Sequence, residues 1–172
     1  MLKRALQIVL TILILAVLLF LSAGTLAWPG AWLLLGLMLA SLAGNFIVIL
    51  RFNPGIAETR SKMRQGTKGW DKVLMAVYSL LYLAFPVVAG LDAVRLGWSS
   101  LPAAYLYPGL VLYALGSALI AWVLATNPFL ETTVRIQEER GHRVITTGPY
   151  AIVRHPMYLG LLIQYLGLPL IL

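Results

Sequence analysis

The 172-residue chain contains no cysteine. Disulfides, thiolate nucleophiles and cysteine-ligated zinc are therefore excluded. Charge is nearly as scarce. Only 11% of residues are charged, against roughly 25% in a soluble domain. The six acidic residues and two histidines offer little for a metal centre that needs about three or four ligands. His142 is read as a solvated residue, and no metal is expected. Glu138 and Glu139 are read as a solvated loop tip, because no partner group for acid–base work is implied.

Where charge is missing altogether is more informative. No charged residue occurs over 5–50, 73–91, 96–130 or 156–172. A bilayer core needs about 20 apolar residues per helix, so these runs predict about five spans, at 5–27, 31–50, 73–92, 106–126 and 156–172. Backbone polar groups in lipid must be satisfied internally, which makes each run a helix. The expectation is an all-α, polytopic, integral membrane protein with a single domain over 1–172. Lys3 and Arg4 give the first run a signal-peptide look, but its apolar stretch exceeds the usual h-region of about 7–15 residues. It reads as a retained helix.

The charges that are present sort by side. With a cytoplasmic N-terminus, five spans place twelve of the thirteen basic residues inside. Arg95 alone falls outside, which is the positive-inside pattern. The net charge of +7 is thus topological, and no nucleic-acid partner is expected. Between the spans, Trp28, Pro29, Gly30 and Trp32 predict an interfacial turn. Asn53-Pro54-Gly55 reads as a turn and Ala57–Gln65 as a short surface helix. "TTVRIQ" and "HRVITT" flank "EERG" as a short hairpin with Gly141 in the turn. Asp71 marks the start of the third span; Asn127 and Glu131, at the cytosolic end of the fourth, read as helix-end caps or as pocket-facing residues. Gly36, Ala40, Ala43 and Gly44 read as helix-packing contacts.

One stretch carries more chemistry than a helix flank requires: "GPYAIVRHPMYLG", from Gly148 to Gly160. Proline is favoured in the first turn of a helix, so Pro156 opens the last span. A helix start presents free N–H groups and a positive dipole end, which attract anions. Arg154 and His155 add charge and directed donors at the same place. Tyr150 and Tyr158 add aromatic faces and hydroxyls, while Gly148 and Gly160 permit close approach of backbone or ligand. The set suits an amphipathic cofactor with a carboxylate, a flat base and a cationic centre, since aromatic faces attract such cations. An interfacial collar of cations and tyrosines gives the same residues, and the two readings stay open on this reasoning alone.

The motif resembles the signature of the integral-membrane methyltransferases related to isoprenylcysteine carboxyl methyltransferase and phospholipid methyltransferases. That signature is G-P-Y, three residues, then R-H-P-x-Y-x-G. "VRIQEERGHRVITT" and "NPGIAETRSKMRQGTKGWDKVL" are similar to the bacterial branch of the same family, so the resemblance runs from about Arg51 to Leu172. It implies S-adenosylmethionine as cofactor, methyl transfer to a lipidic or prenylated acceptor, and a multi-pass enzyme of the bacterial inner membrane with its active site facing the cytoplasm. It implies that His155 and Tyr158 contact the cofactor and that Gly148, Tyr150 and Arg154 shape the pocket, with Gly160 closing the motif.

Family members continue into a further helix and a tail with a Glu-Glu pair. Glu138-Glu139 precedes the motif and is not that pair, so a truncated family domain is expected. With no strong base in the chain, a carboxylate acceptor is favoured over an amine, and the catalytic residue itself is unassigned. A sterol-reductase-like enzyme using NADPH and a non-enzymatic membrane protein are the alternative readings. Oligomeric state is not encoded in any feature.

Overall fold

The computed structural model describes residues 2–59, 69–130, 141 and 143–172. Six α-helices form among them: α1 Leu2–Ala23, α2 Pro29–Phe52, α3 Pro54–Thr59, α4 Gly69–Gly90, α5 Leu106–Thr126 and α6 Pro156–Ile171. No strand forms among the described residues. The expected hairpin falls largely on 131–140 and 142, outside the described residues, as do Glu131, Glu138, Glu139 and His142. Of the expected surface helix, Ala57–Thr59 lies in α3, and 60–65 lies outside the described residues.

Local chemistry sets the boundaries. α1 stops at Ala23, before the end expected at 27, because Gly24 adopts φ +76°, a conformation that glycine reaches without a Cβ penalty. Prolines sit in the first turn of α2 and α6, where the missing N–H would be unpaired in any case. α4 starts at Gly69 and carries Asp71 in its first turn, where a carboxylate favours the helix dipole. It continues as one wide π-helical turn over Leu91–Leu96, so the third span is longer at both ends than 73–92.

Four segments are long and apolar enough to cross a membrane: Ala5–Ala23, Pro29–Phe52, Gly69–Leu96 and Ala103–Thr126. The fifth expected span, 156–172, is an apolar helix of 16 residues. Its length of about 24 Å falls short of the roughly 30 Å hydrocarbon core. Leucines and valines along α1 and α4, Leu13, Val73 and Leu80 among them, point outward, as lipid-facing side chains must.

α1, α4 and α6 run one way and α2 and α5 the other. Asn53, Asp71, Asn127 and His155 therefore share one end, with Arg51, Lys72 and Arg154; this is the basic end. Arg95 is at the opposite end, donating to the carbonyl of Leu21 at 3.0 Å. The packed core lies toward that opposite end. Leu15, Leu19, Phe20, Trp28, Ala31 and Leu35 form one cluster, and Leu34, Tyr113, Leu168 and Ile171 form a second. The cavity opens toward the basic end.

α5 and α6 pack backbone to backbone, as α4 does against α1 at Gly90. A Cβ on Gly116 would lie 2.6 Å from the Gln164 nitrogen and the Gly160 oxygen, and one on Gly167 would lie 2.7 Å from the Gly109 oxygen. Glycine here lets two backbones touch. The expected packing residues Gly36 and Gly44 do not act this way, because a Cβ at either meets nothing within 4 Å. Neither lines the cavity, which α2 borders through Met38, Ser41 and Asn45 instead.

Candidate functional site

A cavity of about 1200 Å³ reaches from the basic end into the bundle, with walls from α1, α2, α4, α5 and α6. Four of the six motif residues singled out from sequence line it: Tyr150, Arg154, His155 and Tyr158. Arg154, His155 and Tyr158 are exposed at its rim, Tyr158 at 67%. The other two have a packing role. Gly160 is buried against α5, where a Cβ would lie 2.9 Å from Ile120. Gly148 has φ +59°, and a Cβ there would lie 3.0 Å from the Thr126 hydroxyl.

The rim is built by a short stretch of chain. Gly148 starts a single 3₁₀ turn, Gly148–Ala151, that folds onto the end of α5. Pro149 is fully buried in it. The Tyr150 hydroxyl accepts a hydrogen bond from Asn127 Nδ2 at 2.7 Å. Asn127 is the C-cap of α5, and its Oδ1 accepts from the Phe129 N–H at 2.9 Å. The expected cap is therefore there, and its side chain also fixes the tyrosine that faces the cavity. His155 is the N-cap of α6 but makes no side-chain cap bond. Its ring stays with Tyr158, centroid to centroid 5.8 Å. The first-turn N–H groups of α6 thus have no side-chain acceptor from His155, as an anion-receptive helix start requires.

Two features of the wall escaped sequence reasoning. Asp71 is 6% exposed and lines the same cavity. Its signal was a carboxylate at the edge of an apolar run, which reads equally well as a helix start. Asn53 donates to the Leu124 and Ala125 carbonyls at 2.7 and 2.8 Å. These are among the four carbonyls that a helix end leaves unpaired. Asn53 therefore pins the end of α2 to the end of α5 directly behind the rim.

The cavity thus combines a polar rim at the start of α6 with a largely apolar shaft. Residues 105–172 match the family model of phospholipid methyltransferase. The matched segment contains α5, the rim and α6, and so includes Tyr150, Arg154, His155 and Tyr158; the facing walls from α1, α2 and α4 lie outside it. The match agrees with the integral-membrane methyltransferase kinship that the Gly148–Gly160 motif implies. Neither curated proteins nor solved structures supply a match to this chain. The family match and the apolar helices together support a membrane methyltransferase with a lipid-related substrate.

Proposed function

We propose that this protein transfers a methyl group from S-adenosylmethionine to the head group of a membrane lipid, at the cytoplasmic end of its helices. One observation carries the reading. Tyr150, Arg154, His155 and Tyr158 share a single cavity with apolar side chains that continue to membrane depth. A soluble donor and a lipid acceptor can meet only in such a space.

The residues present fit the donor. Arg154 and the α6 start offer positive charge and N–H groups to a carboxylate. His155 and Tyr158 offer ring faces to a flat base and a cation. Asp71 adds a negative charge on the opposite wall. S-adenosylmethionine supplies an electrophilic methyl group on a sulfonium. The chain's own contribution is to orient both molecules and to exclude water, which accounts for much of the barrier lowering in such transfers. The phospholipid methyltransferase match favours a phospholipid head group over the isoprenoid carboxylate expected from sequence. An amine acceptor must lose a proton, and on this cavity wall Asp71 and His155 are the groups placed to take it.

The orientation follows from charge. Among the described residues Arg51, Lys72 and Arg154 gather at the end that holds the site, and positive-inside asymmetry directs that end to the cytoplasm.

Melting of the purified protein with each nucleotide tests the reading. At about a hundredfold excess over its Kd, a ligand stabilises the state it binds by about 2.7 kcal/mol, which raises Tm by roughly 5–10 °C. S-adenosylmethionine is expected to do this and NADPH is not. His155→Ala weakens the S-adenosylmethionine effect at least severalfold. No shift with S-adenosylmethionine, or an equal shift in His155→Ala, sinks the proposal.

A further inference from the structure

The rim accounts for only the outer part of the cavity. Deeper in, three polar side chains face it: Ser41 from α2, Tyr113 from α5 and Gln164 from α6. They form one cluster. Gln164 Nε2 donates to Ser117 Oγ at 2.9 Å. Ser117 Oγ lies 3.2 Å from Ser41 Oγ, and Tyr113, 4% exposed, interacts with both Ser41 and Gln164. Ser117 does not line the cavity and supports Gln164 and Ser41 from behind.

Such a cluster needs a reason, because polar groups are costly at this depth unless paired. Holding helices together is a weak one. Interhelical hydrogen bonds in membranes contribute modestly, and α5 and α6 are already locked through Gly109, Gly116, Gly160 and Gly167. The cavity volume points elsewhere. At about 1200 Å³ the cavity lies above the roughly 300–1,000 Å³ of a pocket for one small ligand, which leaves room beside the donor for part of a second molecule.

Depth identifies its chemistry. Gln164 is eight residues beyond Pro156, about 12 Å along α6 from the rim. In a phosphatidylethanolamine nine bonds separate the amine from the nearer ester carbonyl, an extended reach of roughly 11 Å at 3.8 Å per three bonds. A prenyl chain offers only hydrocarbon at that depth. We propose that Ser41, Tyr113 and Gln164 bind the glycerol-ester carbonyls of a diacyl phospholipid acceptor while its head group lies at the rim, making them specificity-determining residues. The proposal rests on the methyltransferase reading of the rim. The Gln164 amide has two donors; Ser117 takes one, and the other, shared with Tyr113, turns with the Ser41 and Tyr113 hydroxyls to meet the ester carbonyls.

Native mass spectrometry of the purified protein with dioleoyl phosphatidylethanolamine and its diether analogue tests this. The two lipids share head group and chains and differ in the carbonyls. Wild type is expected to retain the diester about tenfold over the diether, the scale of one desolvated hydrogen bond. Gln164→Leu and the milder Ser41→Ala bring the ratio toward parity, while S-adenosylmethionine affinity by calorimetry holds. Equal retention of both lipids by wild type, or a preference that survives both substitutions, overturns the inference. A wild type that retains the diester selectively yet binds no S-adenosylmethionine overturns the methyltransferase reading and leaves the ester-binding cluster standing.

Discussion

Gly116→Ala puts the contact between α5 and α6 under direct strain from a single methyl group. The added Cβ would sit 2.6 Å from the Gln164 nitrogen and the Gly160 oxygen and 2.7 Å from the Gln164 Cβ. Two of those three atoms are backbone, so no rotamer change relieves the contact. Non-bonded carbon contacts are optimal near 3.5–4.0 Å, which requires α6 to retreat by roughly 1 Å. Overpacking of this kind costs about 1–3 kcal/mol. The better helix propensity of alanine returns at most about 1 kcal/mol. Using about 2–4 °C per kcal/mol for a chain of this size, Tm in mild detergent falls by several degrees. The control is Gly36→Ala, on an exposed face with nothing within 4 Å of the new Cβ. It gains the propensity term alone and melts at or slightly above wild type. Because α6 carries His155 and Tyr158 at its start, its retreat in Gly116→Ala also weakens donor binding. If Gly116→Ala and Gly36→Ala melt together, the backbone contact between α5 and α6 is not as close as described, and the rim loses its rigid support.

Two further substitutions probe that support from other sides. Asn53→Ala removes both hydrogen bonds to the α5 carbonyls and leaves part-buried acceptors unpaired, at about 1–3 kcal/mol; differential scanning fluorimetry should show a clear loss, and hydrogen exchange should quicken at the end of α5. Gly148→Ala forces a Cβ onto φ +59° beside Thr126, at about 1–2 kcal/mol for the left-handed backbone. It should lower S-adenosylmethionine affinity by calorimetry more than it lowers Tm, because the turn it distorts holds Tyr150.

The spans were readable because lipid imposes a one-dimensional rule. A run without charge must be a helix, and proline and glycine mark its ends, as Pro29, Pro156 and Gly24 do. The rim was readable for a different reason. Its residues, Tyr150, Arg154, His155 and Tyr158, lie within nine positions, so one short segment brings them together with no help from tertiary structure. What lies across the cavity had no such signature. Asp71 is 83 residues from Arg154, and Ser41 is 123 residues from Gln164. Only the tertiary arrangement brings each pair together: α4 and α6 start at the same end, which sets Asp71 near Arg154, and α2 runs antiparallel to α6, which sets Ser41 near Gln164. The packing glycines show the same limit from the other side. Gly36 and Gly116 are indistinguishable as glycines in apolar runs; one faces open space and the other touches a backbone. A small residue in a membrane helix records an opportunity for close approach, and only the neighbour decides whether it is taken. In this protein the approach is taken where α5 meets α6, holding one wall of the cavity firm, and where Gly90 of α4 meets α1, and it is declined at Gly36 and Gly44 of α2, which face open space.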